Sequence, residues 1–243
     1  MRLLVTVAHP DDESFGCGSV LAHATAAGVE SMVVCATRGE LGEVPGETLT
    51  RDELGRRREA ELRAAAAILG VARVEVLGWV DSGVDGEPAH GSLAAAGPAA
   101  VEAAIAAILD DTRPDVVITL DGSDGHRDHA IVRDATLAAV GRAAWHPARV
   151  YLWCLSRELF QLLGSDQWLG TPDAELTTIV DVRRHLATRW RAMRAHRSQT
   201  PPYDQMPADL QDAFLTTDRL RRIIPPWTGG DPEPDWIPAA PAP

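Results

Sequence analysis

Leu3-Leu4-Val5-Thr6-Val7-Ala8-His9-Pro10-Asp11-Asp12-Glu13 is the stretch whose reading decides the fold. The apolar run over 3–8 is short and rich in Val and Leu, which reads as a buried strand. Pro10 biases His9 towards an extended backbone, so His9 belongs at the strand tip with the acids in the turn that follows. A helical pattern then covers 15–27 and stops at Gly28, as a C-terminal cap would. Three consecutive carboxylates repel one another and do little for folding, so something positive belongs among them. A loop between strand and helix is also where α/β proteins place their chemistry.

A second stretch repeats the construction. An apolar strand over 115–120 runs into Asp121-Gly122-Ser123-Asp124-Gly125-His126-Arg127-Asp128-His129, and a helix follows over 128–142. Between the two lie strands over 31–37 and 73–77 and helices over 52–69 and 98–111; a strand over 149–154 and a less regular one over 176–182 come later. Strand alternating with helix predicts an α/β, Rossmann-like three-layer domain with a mainly parallel sheet in the order 3-2-1-4-5 and helices on both faces. In that order the first and fourth strands are neighbours, and the two polar loops face each other across one crevice. Two further loops, 38–50 and 78–97, are Gly-punctuated and long enough to be functional, the second carrying Trp79, Asp81 and His90. A basic helix over 183–197 buries Leu186, Trp190 and Met193 on one face, and its six arginines read as a solvated surface. The chain divides into a single domain over 1–224 and a Pro-rich arm over 225–243.

Composition narrows the function. Lys+Arg 23 against Asp+Glu 35 gives a net charge of −12, which argues against nucleic acid or an anionic membrane as partner. A small molecule is the expected partner, with self-association left open. The three cysteines, Cys17, Cys35 and Cys154, fall inside expected elements and read as buried thiols of a reducing compartment. The first apolar run is too short for a signal peptide or a membrane span, so a cytoplasmic location is expected.

His9 and Asp12, with His126, Asp128 and His129 across the crevice, offer imidazole and carboxylate donors. Two His and one Asp with a position left for water is a ligand set for catalytic zinc, and Asp11 beside it is placed to act as a base. Taken singly, each of these residues also suits a turn or a helix cap. By ligand count alone an iron(II) site is equally allowed. Gly16-Cys17-Gly18 imitates a dinucleotide fingerprint, but Leu21 stands where the third glycine belongs and no acid ends the second strand. Cys17 inside a helix reads as packing rather than as a ligand.

Ala8-His9-Pro10-Asp11-Asp12-Glu13, Gly125-His126-Arg127-Asp128-His129 and Ala195-His196-Arg197-Ser198-Gln199 resemble the motifs of the PIG-L/LmbE-type zinc-dependent N-acetylglucosaminyl deacetylases, over about 3–199. The resemblance implies removal of an N-acyl group, most commonly acetyl, from an amino sugar or glycoconjugate, or amidase action on a related thiol-sugar conjugate. It implies His9, Asp12 and His129 as zinc ligands, Asp11 as general base, His126 as the group that polarises the carbonyl, and Asp128 as the partner that orients a histidine. Arg58 and Asp81 resemble positions that grip sugar or cyclitol hydroxyls, although Arg58 also suits an ion pair with Glu61 one turn on. Asp124 stands where some relatives carry a tyrosine, an anion in place of a phenol that helps hold an oxyanion.

Overall fold

The computed structural model describes residues 1–42, 44, 46–164 and 169–238. Five strands, β1 (Arg2–Val7), β2 (Glu30–Thr37), β3 (Arg73–Trp79), β4 (Val116–Leu120) and β5 (Arg149–Trp153), are parallel. Two more, β6 (Thr178–Asp181) and β7 (Thr217–Ile224), add antiparallel, giving the order β3-β2-β1-β4-β5-β7-β6. The expected order 3-2-1-4-5 is thus the order observed. β1 pairs with β4 from Leu3↔Val116 to Thr6↔Thr119, which brings the two polar turns side by side at the point where the chain winds in opposite directions.

β1 is apolar on both sides because both are covered. Leu3, Val5 and Val7 join the core beneath α2 (Gly18–Ala26), α3 (Arg51–Leu69) and α7 (Leu186–Met193), while Leu4 and Ala8 join that beneath α4 (Pro98–Thr112) and α5 (Arg127–Arg142). α3 starts at a capping box, Thr50 with Glu53, and stops at Gly70 in the left-handed conformation. The remaining helices, α6 (Arg157–Leu162) and α8 (Ala208–Leu215), pack near the open end of the sheet.

Three elements differ from the expectation. The helix expected over 15–27 begins at Asp12 and is split into α1 (Asp12–Phe15) and α2 by a break at Gly16-Cys17. A side chain at Gly16 would lie 2.9 Å from both the Asp12 carbonyl and Leu120, so only glycine lets the turn press against β4. The carbonyls freed by the break are satisfied by Arg189, which is fully buried and donates to Ser14 O, Phe15 O and Gly16 O. One of the six arginines expected in solvent therefore serves as an internal cap. Secondly, β7 escaped the reading because Thr217-Asp218-Arg219-Leu220-Arg221-Arg222 alternates charge with only one large apolar residue, and Asp218 points inward to the Trp153 Nε1–H. Thirdly, the Pro-rich stretch folds back on the sheet. The Glu233 N–H donates to Thr177 O, the Ile179 N–H donates to Glu233 O, and Trp236 is buried. Residues 239–243 of that stretch, like Glu43 in the 38–50 loop, lie outside the described residues.

All three cysteines are buried and free, and Cys17 packs at the start of α2 with its thiol pushed up by burial. Among the described residues no helix is long and apolar enough to cross a membrane.

Candidate active site

The turn after β1 places His9 at the strand tip, as Pro10 requires, and buries His9, Asp12 and Glu13. Asp12 Oδ2 accepts the Ala8 and His9 N–H groups at 3.1 and 2.8 Å, which fixes its carboxylate beside the imidazole. Across the crevice, His126 caps α5 with its own ring. Its Nδ1 accepts the Asp128 N–H at 3.2 Å, so the ring proton of the neutral imidazole sits on Nε2. One turn further in, His129 points at the β1 turn.

His9 Nδ1 lies 3.3 Å from His129 Nε2, His129 Nε2 lies 3.3 Å from Asp12 Oδ1, and Asp12 Oδ2 lies 3.7 Å from His9 Nδ1. Taken one atom per residue, the groups close enough together to hold an ion are, among the described residues, His9, His126 and His129, and His9, Asp81 and Asp128. Donors held about 2.0–2.2 Å from a tetrahedral ion stand ~3.3 Å apart, the separation of His9 Nδ1 from His129 Nε2 and of His129 Nε2 from Asp12 Oδ1, while it is the other Asp12 oxygen that lies nearest His9. Each imidazole is oriented from behind by a carboxylate. His9 Nε2 faces Asp128 Oδ2 at 3.2 Å and Asp81 Oδ1 at 3.6 Å, and His129 Nδ1 meets Asp124 Oδ2 at 2.5 Å. Both rings therefore present their remaining nitrogen to the same space, an arrangement typical of histidines that hold a metal.

The electrostatics agree. Burial disfavours a charged His9, yet Asp128, Asp81 and Asp12 together outweigh it and raise its pKa to about 9. For His129 burial is likewise overcome, by Asp12 and Asp124, and the pKa rises to about 11. The carboxylates make the site negative, and a cation bound there would have to displace the protons the two rings hold. His126 goes the other way: burial and the neighbouring His9 and His129 lower its pKa, which favours the neutral ring.

Asp11 occupies a left-handed backbone conformation, φ 129°, which is rare for a residue with a side chain. Its carboxylate is held by the Arg58 guanidinium at 2.9 Å, and Arg58 also donates to Pro10 O and Gly39 O. Burial raises the Asp11 pKa to about 6 against the opposing pull of Arg58. Arg58 does not form the ion pair with Glu61; that carboxylate faces Arg57 and receives Ser198. Asp81 lines the cavity, with Oδ1 accepting the Gly83 N–H as well as facing His9.

These groups open into a cavity of about 420 Å³. The loops over 38–50 and 78–97 contribute Leu41, Gly42, Gly83 and Val84, whereas Trp79 and His90 do not reach it. Sequence reasoning missed Trp153 and Leu155, although the tip of a fifth parallel strand opens onto the same crevice and could have been followed there. Tyr203 arrives from the segment after α7 with no local signal. Asp124, the anion where some relatives carry a phenol, turns to His129.

A doubly wound sheet with a buried, carboxylate-backed pair of imidazoles at its switch point defines an α/β enzyme with a metal-competent cleft. Residues 4–140 match the PIG-L family, GlcNAc-PI de-N-acetylase. The chain is 37% identical over 229 residues, covering 82% of this chain and 80% of the relative, to the 1D-myo-inositol 2-acetamido-2-deoxy-alpha-D-glucopyranoside deacetylase of Mycolicibacterium gilvum. The chain belongs to the PIG-L family and is an N-deacetylase, a hydrolase of amide bonds. Among solved structures it resembles the N,N'-diacetylchitobiose deacetylase of Pyrococcus horikoshii, with a TM-score of 0.67, 20% identity, and 91% and 83% of the two chains covered. The 4-carboxy-2-hydroxymuconate hydratase of Pseudomonas putida has a TM-score of 0.66 at 17% identity, covering 94% and 98%. Likeness at that level is a likeness of fold, and activity has to be argued from the site.

Proposed function

We propose that the protein is a zinc-dependent deacetylase that hydrolyses the acetamide of an amino-sugar conjugate. The observation that carries this reading is the convergence on one cavity of three donors (His9, Asp12, His129), a half-buried carboxylate beside them (Asp11) and a neutral N–H donor (His126). His9 Nδ1, the Asp12 carboxylate and His129 Nε2 would hold the ion, which when bound supplies Lewis acidity towards the amide carbonyl and acidifies water. Asp11, its pKa near 6, takes a proton from the attacking water as the carbon–oxygen bond forms. His126 Nε2–H donates to the carbonyl oxygen as it gains negative charge. Asp11 then passes the proton to the departing nitrogen, the carbon–nitrogen bond breaks, and acetate and a free amine result. Asp128 holds His9, and Arg58 holds Asp11. In this reading Arg58 and Asp81 also border the space for the sugar and its aglycone, which the apolar Trp153 and Leu155 line as well.

The substrate to test first is the one named for the mycolicibacterial relative, the N-acetylglucosaminyl inositol, beside N,N'-diacetylchitobiose, free N-acetylglucosamine and a thiol-sugar amide. Acetate release should be highest with the inositol conjugate, vanish on chelation and return with zinc. No acetate from any of the acetylated sugars would overturn the proposal, and return with ferrous iron but not zinc would overturn the choice of metal.

A further inference from the structure

The segment Ala195-His196-Arg197-Ser198-Gln199 touches neither the three donors nor the cavity, and the chemistry above gives it no task. Its histidine is buried and meets one carboxylate: His196 Nε2 lies 2.6 Å from Glu13 Oε1, and His196 Nδ1 has no partner among the described residues. Glu13 is fully buried, with Ser14 Oγ also on Oε1 at 2.5 Å. Its other oxygen, Oε2, accepts the Asp11 N–H at 3.0 Å.

We propose that His196 and Glu13 are positioning residues for Asp11: His196 fixes the Glu13 carboxylate, and Glu13 fixes the Asp11 backbone in the left-handed turn that aims its side chain at the cavity. The inference rests on the reading of Asp11 as the base. A side-chain-bearing residue at φ 129° stays there only where its surroundings over-determine it. Here the determinants are few and nameable. Arg58 grips the Asp11 carboxylate, α1 begins on the Asp11 carbonyl through the Ser14 and Phe15 N–H groups, and Glu13 grips the Asp11 N–H. The third contact is the one the remote segment controls. Ser198 anchors that segment by donating its N–H and Oγ–H to Glu61 at 3.0 and 2.5 Å, so His196 approaches Glu13 from a fixed direction off α3. Packing alone does not call for this pair. Apolar side chains of similar volume fill a core at least as well as a buried carboxylate and imidazole, but they cannot present an acceptor to a strained N–H.

The experiment is a double-mutant cycle between His196 and Asp11, read on zinc-loaded enzyme and, separately, on the zinc-free protein. His196→Ala should lower kcat by about 10²-fold, the scale of a 1 Å misplacement, with KM and zinc stoichiometry unchanged. His196→Gln, whose amide N–H can reach the place of Nε2, should recover most of that loss. In an Asp11→Asn background, where no base remains to be aimed, His196→Ala should cost almost nothing more. In the zinc-free protein the Asp11 amide should lose its protection from hydrogen exchange in His196→Ala and keep it in His196→Gln. If His196→Ala does not fold, His196→Leu, which keeps the volume, takes its place in the cycle. Full kcat in the folded Ala or Leu variant, or an equal loss in both backgrounds, overturns the positioning role. Wild-type turnover by Asp11→Asn overturns the base itself, which tells failure of the function reading apart from failure of this one.

Discussion

The turn after β1 and the turn after β4 meet at one switch point. The first is buried and carries its functional groups on a strained backbone held by Arg58, Glu13 and the start of α1. The second is relaxed by glycines, Gly122 at φ 65° and Gly125 at φ 91°. Its Asp124, His126 and His129 are half-buried and fixed within the same turn or the helix it starts, while the buried Asp128 reaches out to His9 and Ser82. The proposed base and two of the proposed metal donors, His9 and Asp12, are thus built on the side with support from distant elements, and the third donor, His129, on the facing side. Groups that must meet a substrate are built on the side open to the cavity. Damage to the first should spread along a network, and damage to the second should stay local.

The sharpest break in the comparison comes from the neighbours on the β1 turn. Asp11→Asn should keep the metal and lose turnover by about 10²–10⁴-fold, the usual worth of a general base. Asp12→Ala should lose the metal itself, as should His129→Ala, measured by metal analysis after dialysis. Zinc retained at full stoichiometry in both would remove these residues from the ligand set.

On the other turn, His126→Ala should keep the metal and lower kcat by roughly 10²–10³-fold, the scale of one oxyanion donor. Burial and the neighbouring His9 and His129 lower the His126 pKa, and in the proposed mechanism it donates as the neutral ring. Its loss should therefore leave the shape of the alkaline side of the pH–rate profile unchanged, and a wild-type alkaline limb that disappears in the variant would mean the imidazolium acts instead.

Asp124 tests whether the β4 turn also supports the metal. Its carboxylate holds His129 Nδ1 at 2.5 Å, and loss of such a partner commonly weakens metal binding by 10–100-fold. Asp124→Asn should show that loss in a chelator competition, and Asp124→Tyr should show it too if the phenol of some relatives does a different job. An unchanged affinity would assign Asp124 to substrate instead.

The strand tips were legible because period and punctuation are local. The run over 3–8 and Pro10 place His9, and the sheet order follows from the alternation of strand and helix. Asp128 was read, from the resemblance, as the partner that orients a histidine. The partners that were not legible come from far along the chain, His196 for Glu13 and Arg189 for the broken helix. A lone arginine on a basic helix gives no sign of being the one that turns inward. β7 was hidden for a related reason, since its inward Asp218 and outward arginines mask the alternation that marks a strand. A sequence reports which groups the chemistry needs, and distant contacts decide how they are held.

The smallest expected effect separates charge from shape at Arg58. Burial raises the Asp11 carboxyl, and the guanidinium 2.9 Å away pulls it back towards ionisation. A base works only when ionised, so activity falls on the acid side as pH drops through its pKa. Taking the cation away leaves burial unopposed and moves that limb to higher pH. Arg58→Gln should therefore shift the acid limb of kcat/KM upward and leave the rate well above it closer to wild type, whereas Arg58→Lys, which keeps a charge but not the planar fork, should shift it less. If Arg58 serves the substrate alone, both variants should raise KM and leave the limb where it is. A limb unmoved by Arg58→Gln at saturating substrate would therefore detach Arg58 from Asp11, and leave the β1 turn held only through Glu13 and α1.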